Sequence, residues 1–106
     1  MTDENVIKEM IQQELKEANK FHSMFHSEHE AYAVIKEEIE EASFEFISLE
    51  NYLGNLWHKV VTDETNNKRI YEEMKKASIR AIQESIQVAA MCDKAIASIE
   101  WRRSGK

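Results

Sequence analysis

Acidic side chains on one predicted helix are the residues best suited to chemistry in this sequence. In the run Glu37-Glu38-Ile39-Glu40-Glu41, Glu38 falls within a helical apolar arc, and Glu41 and Glu45 lie at the edge of that arc. The arc is formed by Ala31, Val34, Ile35, Ala42 and Leu49. Helical positions three and four apart share a face, so these three carboxylates form one row. Because a buried carboxylate without a partner is costly, the row predicts a bound cation.

A second polar pair is predicted at the same height on another helix. Glu84 interrupts an apolar stripe, and Gln87 follows three residues later at its edge. The stripe consists of Ala77, Ala81, Val88 and Met91. If the chain folds back between Asp63 and Glu64, Glu41 faces the level of Ile86 and Glu38 faces the level of Ala89. Glu84 and Gln87 lie within one turn of those levels, so both helices turn polar pairs inward at one place.

Several carboxylate oxygens at one place suit a hard divalent cation, Mg²⁺ or Mn²⁺. Mg²⁺ commonly takes substrate phosphates as its remaining ligands, so the expected chemistry is metal-assisted attack of water on a phosphoryl group. Arg80 is one turn before Glu84, and Lys94 is two turns beyond Gln87 on a similar heading. We expect these two cations to hold phosphates, although surface charges of this kind are common.

The elements that must position these residues are predicted to be helices. The 106 residues include no proline and only two glycines, which indicates an all-helical domain over residues 1–106. Apolar spacing predicts helices from about Asp3 to Phe21, from the capping box Ser27-x-x-Glu30 to about Val61, and from about Asn66 to about Trp101. The run 62–67, rich in turn-forming residues, makes the second and third helices a long antiparallel hairpin.

A second apolar stripe on the third helix indicates burial on two sides. Its members lie on a different side from the stripe around Glu84, and they are Ile79, Ile82, Ile86, Ala89 and Ile96. One side of this helix can meet the second helix, and the other can meet the first helix or another subunit. We therefore predict a helical bundle that is completed by formation of a homo-oligomer.

Charge and composition exclude several kinds of partner. The net charge of −6 disfavours contact with nucleic-acid backbones. Apolar runs fall well short of the roughly 20 residues of a membrane span, and the sequence does not start as a secretory signal does. The lone cysteine, Cys92, lacks an intrachain partner and suits a reducing compartment. The expected location is the cytoplasm.

Two motifs resemble those of the MazG-like nucleoside triphosphate pyrophosphatases. Glu37, Glu38 and Glu41 match the Glu-Glu-x-x-Glu of the first motif, and the segment from Glu84 to Ala90 is similar to the Glu-x-x-Asp of the second, with Gln87 in the Asp position. The similarity covers roughly residues 28–97. It implies an all-helical homodimer or homotetramer that uses Mg²⁺ to split a nucleoside triphosphate into a monophosphate and pyrophosphate. It also implies that Glu38, Glu41, Glu84 and Gln87 bind the metal, with Glu37 as an auxiliary catalytic acid.

Other interpretations of the same residues stay open. The acidic run can be the solvated face of an inactive helical bundle that acts in association or regulation. His22, His26 and His29 have spacing that imitates a zinc site, but the capping box interrupts their helix and favours a polar connector at a pocket mouth. A di-iron carboxylate bundle would need Glu-x-x-His, which the sequence lacks. The possible base-stacking aromatics Tyr32, Phe44, Tyr52 and Trp57 are equally suited to a core.

Overall fold

The computed structural model describes residues 3–105 and contains three helices. They are α1 (Glu4–Asn19), α2 (Glu28–Val61) and α3 (Lys68–Arg103), and this part of the chain contains no strand. The predicted all-helical class is therefore confirmed. Within the same residues, none of the helices combines the length and the apolar character needed to cross a bilayer.

Local capping explains where the helices begin and end. Ser27 Oγ accepts a hydrogen bond from the Glu30 backbone N–H at 3.1 Å, as the predicted capping box requires. The reciprocal bond differs, because Glu30 Oε2 accepts from the N–H of His26 rather than from that of Ser27. α3 begins two residues later than predicted. Asn66 and Asn67 remain in the turn, where the Asn67 side-chain amide donates to the Glu64 carbonyl oxygen at 3.1 Å.

α3 is the central element of the fold. α2 packs along α3, and α1 also packs against α3, but α1 and α2 do not pack directly against each other within the described residues. Contacts between Glu41 and Glu84, and between Glu45 and Arg80, are consistent with an antiparallel hairpin. Glu41 thus meets Glu84, two residues from the level at which the sequence placed it.

The core is thin and consists mainly of small side chains. Its buried apolar residues are Phe25, Ala31, Ala42, Ala77, Ala81 and Ala90. Alanines along α2 and α3 let the two backbones approach closely, but they bury little apolar area. No residue of α1 is buried. α1 therefore packs on one side of α3 and adds no residue to the core.

Large apolar side chains remain exposed on the outer faces of the helices. On α2 they form a stripe spaced seven residues apart, which we call the α2 stripe: Tyr32, Ile39, Phe46, Leu53 and Val60. In the second apolar stripe of α3, Ile79, Ile82 and Ile96 are exposed, whereas Ile86 and Ala89 are half-buried. Tyr32, Phe44 and Trp57 are also exposed, so three of the four candidate stacking aromatics are not in the core of this chain.

Candidate metal centre

Glu38 and Glu41 of α2 and Glu84 of α3 form a carboxylate cluster. One carboxylate oxygen from each residue lies within 4.8 Å of the corresponding oxygen of the other two. Glu38 and Glu84 are half-buried, and Glu41 is exposed. The Oε2 atoms of Glu38 and Glu84 are buried and have no hydrogen-bond partner within the described residues. Two orphaned buried oxygens at one place are costly unless a cation or a proton satisfies them.

Protons are one way in which the cluster relieves its charge. Burial is the main cause that raises the pKa of Glu84 to about 7. The hydrogen bond that a protonated Glu84 can donate to Glu41 adds to this shift, as do the charges of Glu41, Glu38 and Glu45. Burial also raises the pKa of Glu38, as do the charges of Glu41 and Glu37. The cluster is therefore expected to gain a proton as the pH falls below about 7, and a divalent cation would compete with that proton for the same oxygens.

The sequence places these carboxylates inward through helical periodicity. Glu38 lies four residues before Ala42, and Glu84 lies three residues after Ala81, and both alanines are buried between α2 and α3. A side chain on the same face as a buried alanine must point toward the neighbouring helix. Glu41 lies at the edge of this face, so its side chain is exposed and its carboxylate reaches the cluster from the solvent side.

Glu45 continues the predicted row but does not join the cluster. Arg80 Nε donates to both of its carboxylate oxygens, at 3.1 and 2.9 Å. The Glu45 side chain is only 12% exposed, so this ion pair joins α2 to α3 one turn from the cluster. The structure therefore places Arg80 in the predicted layer, where it neutralises Glu45.

Two other predicted site residues lie around the cluster. Glu37 is exposed and outside the group of three, although its charge acts on Glu38. Gln87 is half-buried and lines a cavity next to Glu38. The amide can offer its carbonyl oxygen to a ligand in that cavity, but it adds no negative charge.

A cavity of about 350 Å³ separates α1 from α2 above the surface of α3. Its wall includes Lys94, which is only 3% exposed. The Lys94 ammonium lies 4.9 Å from the centroid of the Phe25 ring, and burial lowers the pKa of Lys94. Lys94, which was expected to hold phosphates, thus lies in the wall of this cavity and not on the outer surface.

The connector between α1 and α2 is held by the end of α3. Ser98, which is fully buried, accepts a hydrogen bond from the Phe25 N–H at 2.9 Å and donates to the Lys94 carbonyl oxygen at 2.7 Å. Arg102 donates to the Phe25 carbonyl oxygen at 2.8 Å and to Glu28 Oε1 at 3.1 Å. These bonds fix the backbone of Phe25, whose ring contacts Lys94.

Glu14 also belongs to this region and was not among the predicted site residues. Glu14 on α1 lines the cavity, and its charge contributes to the raised pKa of Glu38. The signal that identified Glu38 is also present here, because Glu14 lies among Ile11, Leu15 and Ala18 on the apolar side of its helix. Each of the three helices thus has an acid within an apolar stripe, and Glu38 lies near the other two, Glu14 and Glu84.

Within residues 3–105 the histidines do not belong to any group of three or more possible metal ligands. The only group of metal-ligating side chains found in residues 3–105 is the carboxylate cluster. His22 lines the cavity, as expected for a polar connector at a pocket mouth, and His26 packs edge-to-face on Trp101 with ring centroids 5.4 Å apart.

Comparison with known proteins adds no family assignment. The chain matches no protein-family model, no curated protein and no solved structure.

Proposed function

We propose that the protein is a Mg²⁺- or Mn²⁺-dependent nucleoside triphosphate pyrophosphohydrolase that forms a nucleoside monophosphate and pyrophosphate. The observation that carries this proposal is the carboxylate cluster. It unites three acids from two helices within 4.8 Å and leaves buried oxygens of Glu38 and Glu84 without partners. The resemblance of the two motifs to MazG-like pyrophosphatases supplies the reaction.

The donor set fits a hard divalent cation. Oxygens that share one Mg²⁺ at 2.0–2.1 Å lie about 3 to 4 Å apart, which a spread of at most 4.8 Å reaches with small side-chain movements. Glu38, Glu41 and Glu84 would hold the ion, and the Gln87 amide oxygen would be a further ligand. When bound, the ion would neutralise charge on the phosphates and make a coordinated water easier to deprotonate.

The protein side chains then bind and orient the reactants. In the hydrolysis a water oxygen forms a bond to phosphorus, and the bond between the α and β phosphates breaks. Glu41, the exposed member of the cluster, is the residue best placed to accept the proton of the water, with Glu37 as an auxiliary acid beside it. Arg80 lies in the same layer, where its guanidinium can share its charge between Glu45 and a phosphate.

We infer that the molecule works as a homodimer or homotetramer built on an antiparallel α2–α3 hairpin. The surface supports this inference, because the chain exposes 7997 Å², whereas a compact monomer of 12.4 kDa exposes about 6,100 Å². The radius of gyration is 18.4 Å against about 13 Å for a compact domain of this length. The excess of about 1,900 Å² on one chain is more than the roughly 800 Å² that each partner buries in a standard interface.

The two apolar stripes supply the surface for a second copy. On each helix, we measure the angle about the helix axis from the side that contacts the other helix. In the direction in which residue numbers advance, this angle leads to the α2 stripe on α2 and to Ile82 and Ile96 on α3. Because the two helices run in opposite directions, positions at similar angles from the contact side lie on the same side of the helix pair. The stripes therefore form one apolar face, and its spacing of seven residues suits packing against the helices of another hairpin.

The same apolar face also supports the alternative function. Gln87 occupies the place of an anion, so an inactive bundle that acts as an interaction or regulatory protein is the second candidate. For both candidate functions we propose that the chain binds further copies of itself. For the enzyme we also propose a nucleoside triphosphate as the substrate. The acidic net charge disfavours nucleic acid or an anionic membrane surface as a partner, and the lone Cys92 agrees with a cytoplasmic location.

The decisive experiment measures pyrophosphate release from a panel of nucleoside triphosphates with Mg²⁺ or Mn²⁺. It compares the wild type with Glu41→Gln, Gln87→Asp and the control Glu50→Gln, which removes an exposed acid elsewhere on α2. We expect metal-dependent turnover that falls at least 100-fold in Glu41→Gln and is unchanged in Glu50→Gln.

Two other outcomes assign the protein differently. A silent wild type together with an active Gln87→Asp variant would identify a lapsed relative of the pyrophosphatases. If neither protein releases pyrophosphate, and calorimetry detects no Mn²⁺ binding, the enzyme proposal fails and the interaction protein is the remaining candidate.

A further inference from the structure

The cavity between α1 and α2 contains the other strong polar feature of the molecule. Its volume of about 350 Å³ lies at the lower end of the range for small-molecule pockets. It adjoins the carboxylate cluster, because Glu38 contributes to both. A ligand bound at the cluster through its phosphates can therefore extend into this cavity.

Lys94 is the polar group of the cavity that calls for a ligand. The residue as a whole is 97% buried, and no ion pair or hydrogen bond from Nζ is found within residues 3–105. Nζ is not one of the fully buried atoms, so the ammonium opens into the cavity. The Phe25 ring offers its π face at 4.9 Å, but a ring face leaves the three N–H donors of the ammonium without a strong acceptor. A ligand in the cavity that supplies oxygen or nitrogen acceptors can take these hydrogen bonds in place of water.

The surroundings of Lys94 disfavour an anionic ligand. Glu14, Glu30 and Glu38 line the same cavity and would repel a phosphate or carboxylate. Ten residues of α3 separate Lys94 from Glu84, a rise of about 15 Å, so Lys94 is remote from phosphates bound at the cluster. The group that fits is uncharged and carries both acceptors for Lys94 and donors for the carboxylates.

We propose that the cavity holds the base of the nucleotide and selects bases with an exocyclic amino group, with Lys94 donating to a ring nitrogen or carbonyl oxygen and Glu14 or Glu30 accepting from the amino group. Val34 and Met91 supply apolar contacts for the faces of the ring. This inference rests on the proposed nucleotide chemistry, and it moves Lys94 from the phosphates, where the sequence placed it, to the base. A uracil or hypoxanthine ring would instead bring a carbonyl oxygen to the carboxylates, which repel it.

The test uses nucleosides, which lack phosphates, and the full chain in EDTA. Ligand-observed NMR or calorimetry compares cytidine with uridine, and adenosine with inosine, for the wild type, Lys94→Met and the control Lys76→Met, which changes an exposed lysine of the same helix. We expect each amino-bearing nucleoside to bind at least tenfold more tightly than its partner. Lys94→Met should lose at least tenfold in cytidine affinity, while Lys76→Met and the Mn²⁺ affinity of both variants stay unchanged.

The outcomes separate this inference from the proposed function. Selective nucleoside binding that depends on Lys94 supports the base pocket, even if no triphosphate is hydrolysed. If triphosphates are hydrolysed but nucleosides do not bind, or bind without preference for the amino group, the base pocket is wrong and the enzyme proposal stands.

If Lys94→Met instead loses pyrophosphate binding, Lys94 holds phosphates and the base assignment is overturned. The comparison of wild-type affinities for cytidine and uridine decides the inference even if Lys94→Met is misfolded.

Discussion

At the scale of single residues, the carboxylate cluster combines buried oxygens with neighbours of the same charge, which costs stability. Glu38 and Glu84 bury oxygens that receive no hydrogen bond from the described chain, and their neighbours are acids. A purely structural position of this kind is more stable with an amide or an apolar side chain. The arrangement is therefore expected of residues that bind a cation.

The raised pKa of Glu84 makes stability depend on pH. Its pKa in the folded protein, about 7, lies above the ordinary value of 4.5, so its contribution to stability is full at acidic pH and is lost as the pH rises through 7. We expect the wild type in EDTA to melt at a lower temperature at pH 8 than at pH 5.5. Glu84→Gln should flatten this dependence and stabilise the fold at pH 8 by on the order of 2 kcal/mol.

Thermal melts at fixed protein concentration, with and without Mg²⁺, check this expectation. Mg²⁺ should raise the melting temperature of the wild type more at pH 8 than at pH 5.5, because the ion competes with the proton. Glu50→Gln serves as the control and should keep the wild-type pH dependence. An unchanged dependence in Glu84→Gln would show that other groups cause it.

At the scale of elements, the end of α3 anchors the connector that closes the cavity. Ser98→Ala would leave the Phe25 N–H buried without its acceptor, although the carbonyl of Lys94 keeps its helical bond. We expect a loss of about 1–3 kcal/mol in unfolding free energy. Chemical denaturation measures this loss, and Ser85→Ala, which changes an exposed serine of the same helix, is the matched control. Equal effects of the two variants would contradict the anchoring role of Ser98.

The elements themselves were largely predictable from local sequence. Apolar spacing and the Ser27 cap predicted the three helices, and the acid within each apolar stripe predicted that Glu38 and Glu84 turn inward. Contacts between helices were harder to predict, because periodicity determines which face of a helix a residue occupies but not how far apart the helices lie. For that reason the sequence did not reveal that Glu45 pairs with Arg80, that Glu14 joins the same region from α1, or that Lys94 is buried against Phe25.

At the scale of the whole molecule, the apolar face of the hairpin is expected to bind a second copy. Phe46→Glu places a charge in the middle of the α2 stripe and should shift an oligomer to monomer, which light scattering or sedimentation can detect. The control Asn51→Glu places the same charge at an exposed position on another side of α2 and should leave the oligomer intact. A wild-type protein that is monomeric at all concentrations would contradict the predicted assembly.

The attachment of α1 determines how a ligand reaches the cavity. This helix contacts α3 alone and buries none of its residues, yet Glu14 and Ala18 form one wall of the cavity. A helix held so lightly opens at little cost in free energy, whereas the α2–α3 pair does not. Movement of α1 away from α3 is therefore expected to cost less free energy than separation of α2 from α3, and it would widen the cavity for a ligand.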